Sequence, residues 1–176
     1  MSHVAVYALA TLDTPNKVLT HAEDIASILA EHSVRFERWQ PGPLEKGASE
    51  AQMIAASQAQ IDALGYSAVE VFSVGSDQPH KDELRTMHQK MRRYSEDHAR
   101  LFIAGQGLYT LQVGDYLYAV RCEKNDLLVI PAGLSHGFDI GENPYCVTLC
   151  LSNSVRGLTP EFTVGAVTAG LPGLDD

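Results

Sequence analysis

The chain is short of positive charge, of cysteine and of long apolar runs, and each shortage removes a class of function. Lysine and arginine number 13 against 22 aspartates and glutamates, a formal net charge of −9. Nucleic acid and anionic membrane are therefore poor bulk-electrostatic partners, although a local basic pocket stays open. No apolar stretch approaches the roughly 18–20 residues that span a bilayer. The start Met1-Ser2-His3-Val4-Ala5-Val6-Tyr7 lacks the basic and long apolar regions of a signal peptide. The expectation is a cytoplasmic protein with no membrane and no nucleic-acid partner, as a monomer or homodimer. The three cysteines, Cys122, Cys146 and Cys150, form neither a metal-ligand spacing nor an even disulfide set. They read as small buried hydrophobes.

What is present is an ordinary globular composition, 45% hydrophobic and 20% charged over 176 residues, enough for one domain with one substantial core. Residues 1–91 read as an α/β decorating layer. A strand runs from His3 to Ala10. Thr20-His21-Ala22-Glu23 has the form of a capping box before a helix with Ile25, Ile28 and Leu29 on one face. Val34 to Trp39 alternates as a strand, closed by Pro41-Gly42-Pro43. Ser49-Glu50-Ala51-Gln52 is a second capping box, and Met53, Ser57, Ile61 and Leu64 share a face of the helix that Gly65 ends. Val69 to Val74 is a strand and Lys81 to about Met91 a helix.

From residue 92 the pattern changes to short β-like runs separated by turn signals such as Gly105-Gln106-Gly107, Val113-Gly114-Asp115 and Gly141-Glu142-Asn143-Pro144. Residues 92–158 read as an antiparallel barrel or double-sheet jelly roll. Residues 159–176 are a tail that packs over the barrel mouth or trails off.

Arg92, Tyr94, His98 and Arg100 share strand parity, so one unbroken strand would point all four the same way. Such a face is solvent or a polar pocket, not core. Leu127 to Gly133 reads as a buried strand entering a tight turn that delivers His136, with Phe138 two residues on. The bland alternatives are a hydrogen-bonded histidine pair without chemistry, and Arg92 salt-bridged to Glu96 or Asp97 as a plug. His80 reads as a surface residue, while His3, His21 and His32 read as exposed or capping. Trp39 reads as core, and Asn125-Asp126 as a turn.

Pro-x-Gly-x-x-His at residues 131–136 resembles the second cupin motif, and His98 with Gly105 the end of the first. More closely, the chain resembles the acireductone dioxygenase family. The resembling segments are Val34-Arg35-Phe36-Glu37-Arg38-Trp39, Gly105-Gln106-Gly107-Leu108-Tyr109, Cys122-Glu123-Lys124-Asn125-Asp126-Leu127, Pro131-Ala132 and His136-Gly137-Phe138-Asp139. The resemblance implies a cupin-type β-barrel with N-terminal helices. It also implies oxidation of an enediol-ketone by dioxygen on Fe(II) or Ni(II), held by three His and one Glu. The family's His-x-His-x-x-x-Glu falls here on Arg92, Tyr94 and His98, so only His136 keeps its residue type. Arg100 and Phe138 match substrate-side positions, His88 falls on an apolar pocket position, and the family's later arginine and tryptophan fall on Cys150 and Leu158.

Arginine has no lone pair for a metal, and tyrosine coordinates only after losing a proton of pKa about 10. These replacements lead to an expectation of an enzyme on a small, anionic or enolisable substrate with no cofactor. His98, His136 and Tyr94 would do acid–base work, and Arg92, Arg100, Phe138 and His88 would bind substrate. Isomerisation, cyclisation, dehydration or decarboxylation would suit them. One alternative is a metal-dependent oxygenase of the family type on His98, His136 and Tyr94, with Fe(II), Ni(II) or another divalent ion. The other is a non-catalytic small-molecule binding module.

Overall fold

In the computed structural model, which describes residues 1–40, 42–163, 165 and 169–176, alternating hydrophobic strands close on one another as two antiparallel sheets. The strands are β1 (His3–Ala8), β2 (Lys17–Leu19), β3 (Arg35–Arg38), β4 (Ala68–Val74), β5 (Arg92–Arg93), β6 (His98–Val113), β7 (Tyr116–Glu123), β8 (Asp126–Ile130), β9 (His136–Asp139), β10 (Cys146–Ser152) and β11 (Glu161–Phe162). One sheet runs β11-β5-β9-β6-β7-β1-β2; the other runs β3-β8-β6-β10-β4. β6 belongs to both. Its first half pairs with β8 and β10, its second half with β7 and β9.

A bulge in β6 makes this sharing possible. Phe102 pairs with Thr148 and Ala104 with Val147, which leaves Ile103 as an extra residue. The extra residue reverses the side-chain alternation. His98, Arg100 and Phe102 face inward before the bulge; Tyr109 and Leu111 face inward after it. Gly105 follows in a left-handed conformation (φ +76°), and a Cβ there would lie 1.8 Å from the Tyr145 carbonyl oxygen. Only glycine fits that crossing.

The space between the sheets is filled by Val4, Val6, Tyr109, Leu111, Tyr118 and Val120 from one side, and by Phe36, Val74, Phe102, Leu128, Ile130 and Cys146 from the other. Helix α1 (Ala22–Ala30) closes one end with Ile25 and Leu29. A second apolar layer covers the outer face of the β8–β6–β10 sheet. Ala99, Leu101, Leu127, Leu149 and Leu151 meet Ile61 of α3 (Gln58–Leu64) and Met53 of α2 (Glu50–Ala56). Each fully buried leucine there contributes about 1.5–3 kcal/mol.

Several expectations are corrected. Segment 1–91 is not only decoration, because β1, β3 and β4 are strands of the sheets themselves. The Thr20 capping box does not form: His21 stands at the N-cap with no side-chain bond. The Ser49 box does form, with both reciprocal bonds to Gln52. The single helix expected beyond it breaks at Ser57 into α2 and α3. Pro41 of the expected Pro41-Gly42-Pro43 closure lies outside the described residues. Trp39 is half-buried against the outer apolar layer. The tail neither caps the mouth as a unit nor trails off: β11 adds to the sheet beside β5, and Leu174 packs on its outer face against Ala5, Leu108 and Ala119.

Candidate active site

The expected single strand through Arg92 and Arg100 does not exist. β5 stops at Arg93, a bend follows, and β6 starts at His98. The side chains nevertheless meet, by another route. Arg92 pairs with His136 across β5–β9, and β9 lies against β6 with Leu111 opposite His136 and Tyr109 opposite Phe138. The bend is pinned from both sides. The Gly133 amide donates to the Tyr94 carbonyl (2.9 Å) and the Ala132 amide to the Asp97 carboxylate (3.0 Å). The Ser152 hydroxyl donates to the Asp97 carbonyl (2.9 Å) and the Ser154 hydroxyl to Glu96 (2.5 Å). Tyr94 consequently lies flat on His98, with centroids 4.0 Å apart and planes 5° from parallel. His136 is 5.6 Å from the Tyr94 ring and 6.5 Å from the His98 ring.

These residues enclose a cavity of about 10 Å³, room for roughly one water-sized centre. Its other walls are Arg100, Tyr109, Phe138 and His88, the last from α4 (Lys81–Gln89). The Arg100 guanidinium lies over three rings, Phe138 at 4.3 Å, Phe72 at 5.2 Å and Tyr109 at 5.7 Å. Both ring nitrogens of His98, the Nε and Nη1 of Arg100 and the hydroxyl of Tyr109 are buried without a hydrogen-bond partner. The Gly157 backbone approaches His98 without reaching hydrogen-bonding geometry. Buried polar atoms rarely go unpaired. Five in one cavity mark a place built for something polar.

The histidines here are neutral. Burial drives the His98 pKa well below its ordinary value, and Arg100 and His136 push the same way. Burial likewise lowers His136 to about 4, with Arg92 and Arg100 adding to it, and lowers His88 to about 4. Nδ1 of His136 donates to the Leu134 carbonyl (2.9 Å) and Nδ1 of His88 to the Leu84 carbonyl (3.0 Å). A carbonyl only accepts, so in both rings Nδ1 carries the hydrogen and Nε2 keeps the lone pair. Burial raises the Tyr94 pKa, which keeps the phenol protonated.

Arg92 does not plug the cavity by pairing with Glu96 or Asp97. Its Nε donates to the Lys90 carbonyl (3.1 Å), its Nη2 donates to the Met87 carbonyl, and its guanidinium stacks on Phe162 at 5.1 Å. It is a clasp on the end of α4. Tyr109 and Phe72 were not singled out from the sequence. Tyr109 sits beyond the β6 bulge, where strand parity misleads, and Phe72 is apolar in an apolar strand. Cys150 stands opposite Arg100, and burial raises its thiol pKa, so it is an inert thiol. His32 is not simply exposed or capping, since it bonds the Tyr118 hydroxyl (2.8 Å). Among the described residues no group of three or more His, Cys, Asp or Glu could hold a metal ion. None of their helices is long and apolar enough to cross a membrane.

The profile of the ARD/ARD' family matches residues 7–155. The acireductone dioxygenase of Pseudomonas syringae pv. syringae is 49% identical over the full length of both chains, and that of Stutzerimonas stutzeri is 48% identical over the same extent. The solved acireductone dioxygenase of Bacillus anthracis, with cadmium ion in its active center, superimposes with a TM-score of 0.78. It covers 92% of this chain and 98% of its own at 20% identity, and it establishes the fold as a cupin-type barrel. These findings overturn the expectation of a cofactor-free centre. The full-length relatives carry the name of a dioxygenase, and the solved structure of the same fold has a divalent metal in its active center.

Proposed function

The chain belongs to the acireductone dioxygenase family, and from that premise we propose that it is a divalent-metal enzyme that oxidises an acireductone, an enediol-ketone, with dioxygen. The observation that carries the proposal is His98. It is a neutral, 3%-exposed imidazole with both nitrogens unpartnered in the cavity, and an apolar protein interior does not otherwise keep such a group. A metal needs neutral imidazoles, and His98 and His136 are both neutral. Together with the Tyr94 phenol, which lies flat on His98 and would have to give up its proton to the metal, they are the donors the cavity offers. That set is thinner than three His and one Glu, and it shares the cavity with the Arg92 guanidinium, two of whose nitrogens are taken up by the Lys90 and Met87 carbonyls. Bound there, the metal would supply a site where substrate and dioxygen meet with coordination positions open.

The remaining work falls to the protein. Arg100 holds the developing enolate oxygen by charge-assisted hydrogen bonds from Nε and Nη1. Phe72, Phe138 and Tyr109 hold Arg100 in place and keep bulk water from it. The cavity must widen to admit an organic substrate.

The test is elemental analysis of protein purified without a metal-chelating tag, followed by acireductone consumption under dioxygen after loading with Fe(II) or Ni(II). The expected result is metal retention and turnover, with His98→Ala reducing metal affinity at least about 10–100-fold. Failure of the wild type both to retain metal and to consume acireductone would overturn the assignment.

A further inference from the structure

We propose that His88 is a catalytic residue of this chain, the base that takes the enediol hydroxyl proton as substrate enters; the idea rests on the activity proposed above. His88 stands in the last turn of α4, half-buried, and lines the same cavity as His98, His136 and Arg100. Its orientation is fixed twice. Nδ1–H is committed to the Leu84 carbonyl at 3.0 Å. The ring packs against Phe72 (4.8 Å) and Phe138 (6.4 Å), the same two rings that flank the Arg100 guanidinium. The free lone pair is therefore on Nε2. Among the described residues His88 is not grouped with His98 and His136 into a three-donor cluster, and in this proposal it serves the substrate.

The step balances without any co-reactant. The substrate O–H bond breaks and its proton forms a bond to His88 Nε2. The electron pair stays on oxygen as an enediolate beside Arg100, and Nδ1–H stays on Leu84. An enediol conjugated to a ketone is a vinylogous acid, so a weak base suffices. Arg92 is the matching positioning residue: its two bonds to the Lys90 and Met87 carbonyls hold the turn that carries His88.

The first arm is anaerobic, so that it does not depend on turnover. Acireductone is added to wild type and to His88→Phe, and the ultraviolet spectrum of the bound substrate is read. The wild type is expected to give the ionised enediolate spectrum at a pH where free substrate is partly protonated, and His88→Phe to lose that shift. The second arm is aerobic. In His88→Phe, kcat should fall about 100-fold with KM within a few-fold, metal content unchanged and melting temperature not lowered. Added imidazole should restore rate to His88→Gly. An unshifted spectrum with wild type, an equal shift with His88→Phe, or a loss of kcat that tracks loss of metal would each overturn the role of His88. A wild type that ionises bound substrate anaerobically but consumes no dioxygen would instead overturn the oxygenase assignment and leave the base in place.

Discussion

The cavity has two unlike walls. The sheet wall carries His98, Arg100, Tyr109, His136 and Phe138, each under 7% exposed, on β6, which has neighbours in both sheets, and on β9, which is bonded to β6. The helix wall is α4, which has no fully buried residue and is tied down by two arginines. Arg85 makes a bidentate pair with Asp139 of β9 (2.7 and 3.0 Å), and Asp139 also accepts from the Gly141 and Leu174 amides. Arg92 clasps the other end of the helix. The difference lies in how each wall is held. His98 and His136 are built into ladders, whereas α4 is held by the polar ties of two arginines together with the packing of Leu84 and His88.

The comparison breaks most severely at Gly105. Gly105→Val adds a Cβ into the Tyr145 carbonyl and forces a β-branched residue to positive φ, so the sheet wall loses its crossing. The expected destabilisation exceeds about 4 kcal/mol, read by urea denaturation, or as insoluble protein. Near wild-type stability would mean that β6 crosses between the sheets by some other path.

Acid gives the next largest effect. His88 and His136 have folded pKa values lowered to about 4 from an ordinary 6.5. Between those values the unfolded chain binds more protons than the folded one, so stability rises with pH across the window. It is fully present above about 6.5 and is lost as pH falls toward 4. At pH 5 each buried histidine should cost about 1–2 kcal/mol relative to pH 7, measured on metal-free protein. A flat profile from pH 7 to pH 5 would show that the rings are solvated.

The smallest effect sharpens the contrast best. Arg85→Gln should cost about 1–3 kcal/mol and should raise amide hydrogen exchange in α4 and around Leu174, while β6 and β9 keep their protection. Uniform loosening of both walls would show that they form one cooperative unit.

Local features were legible in the sequence where both partners are near in the chain. The Ser49–Gln52 capping box and the Gly65 helix stop need only neighbours, and both formed. The Thr20 box failed although its residues are neighbours: β2 ends at Leu19 and His21, not Thr20, stands at the N-cap. The break at Ser57 has neither glycine nor proline to mark it; there the packing of Ile61 against the outer face of β6 overrides helical periodicity. For the site, parity in one strand correctly named residues that converge, but through a mechanism the structure does not use. The bend at Tyr94–Asp97 and the bulge at Ile103 both break that parity. Tyr109 was hidden for the same reason. The no-cofactor expectation weighed the donors lost at residues 92 and 94; what overturns it, the naming of the full-length relatives and the cadmium ion in a solved structure of this fold, is not readable from one sequence.

The sharing of β6 between two sheets also orders how the chain folds. Its second half meets β7 through a two-residue connection at Gly114-Asp115, a hairpin that closes in microseconds. Its first half waits for β8, then β10, and β10 in turn for β4 from the far N-terminal side. Such distant pairings pay loop-closure entropy before any contact rewards them. Tyr109 thus has its hairpin partner early, whereas His98 and Arg100 receive theirs only when β8 and β10 dock. A nascent chain can complete the surroundings of its reactive centre only once β10, the last long strand of the two sheets, has been made.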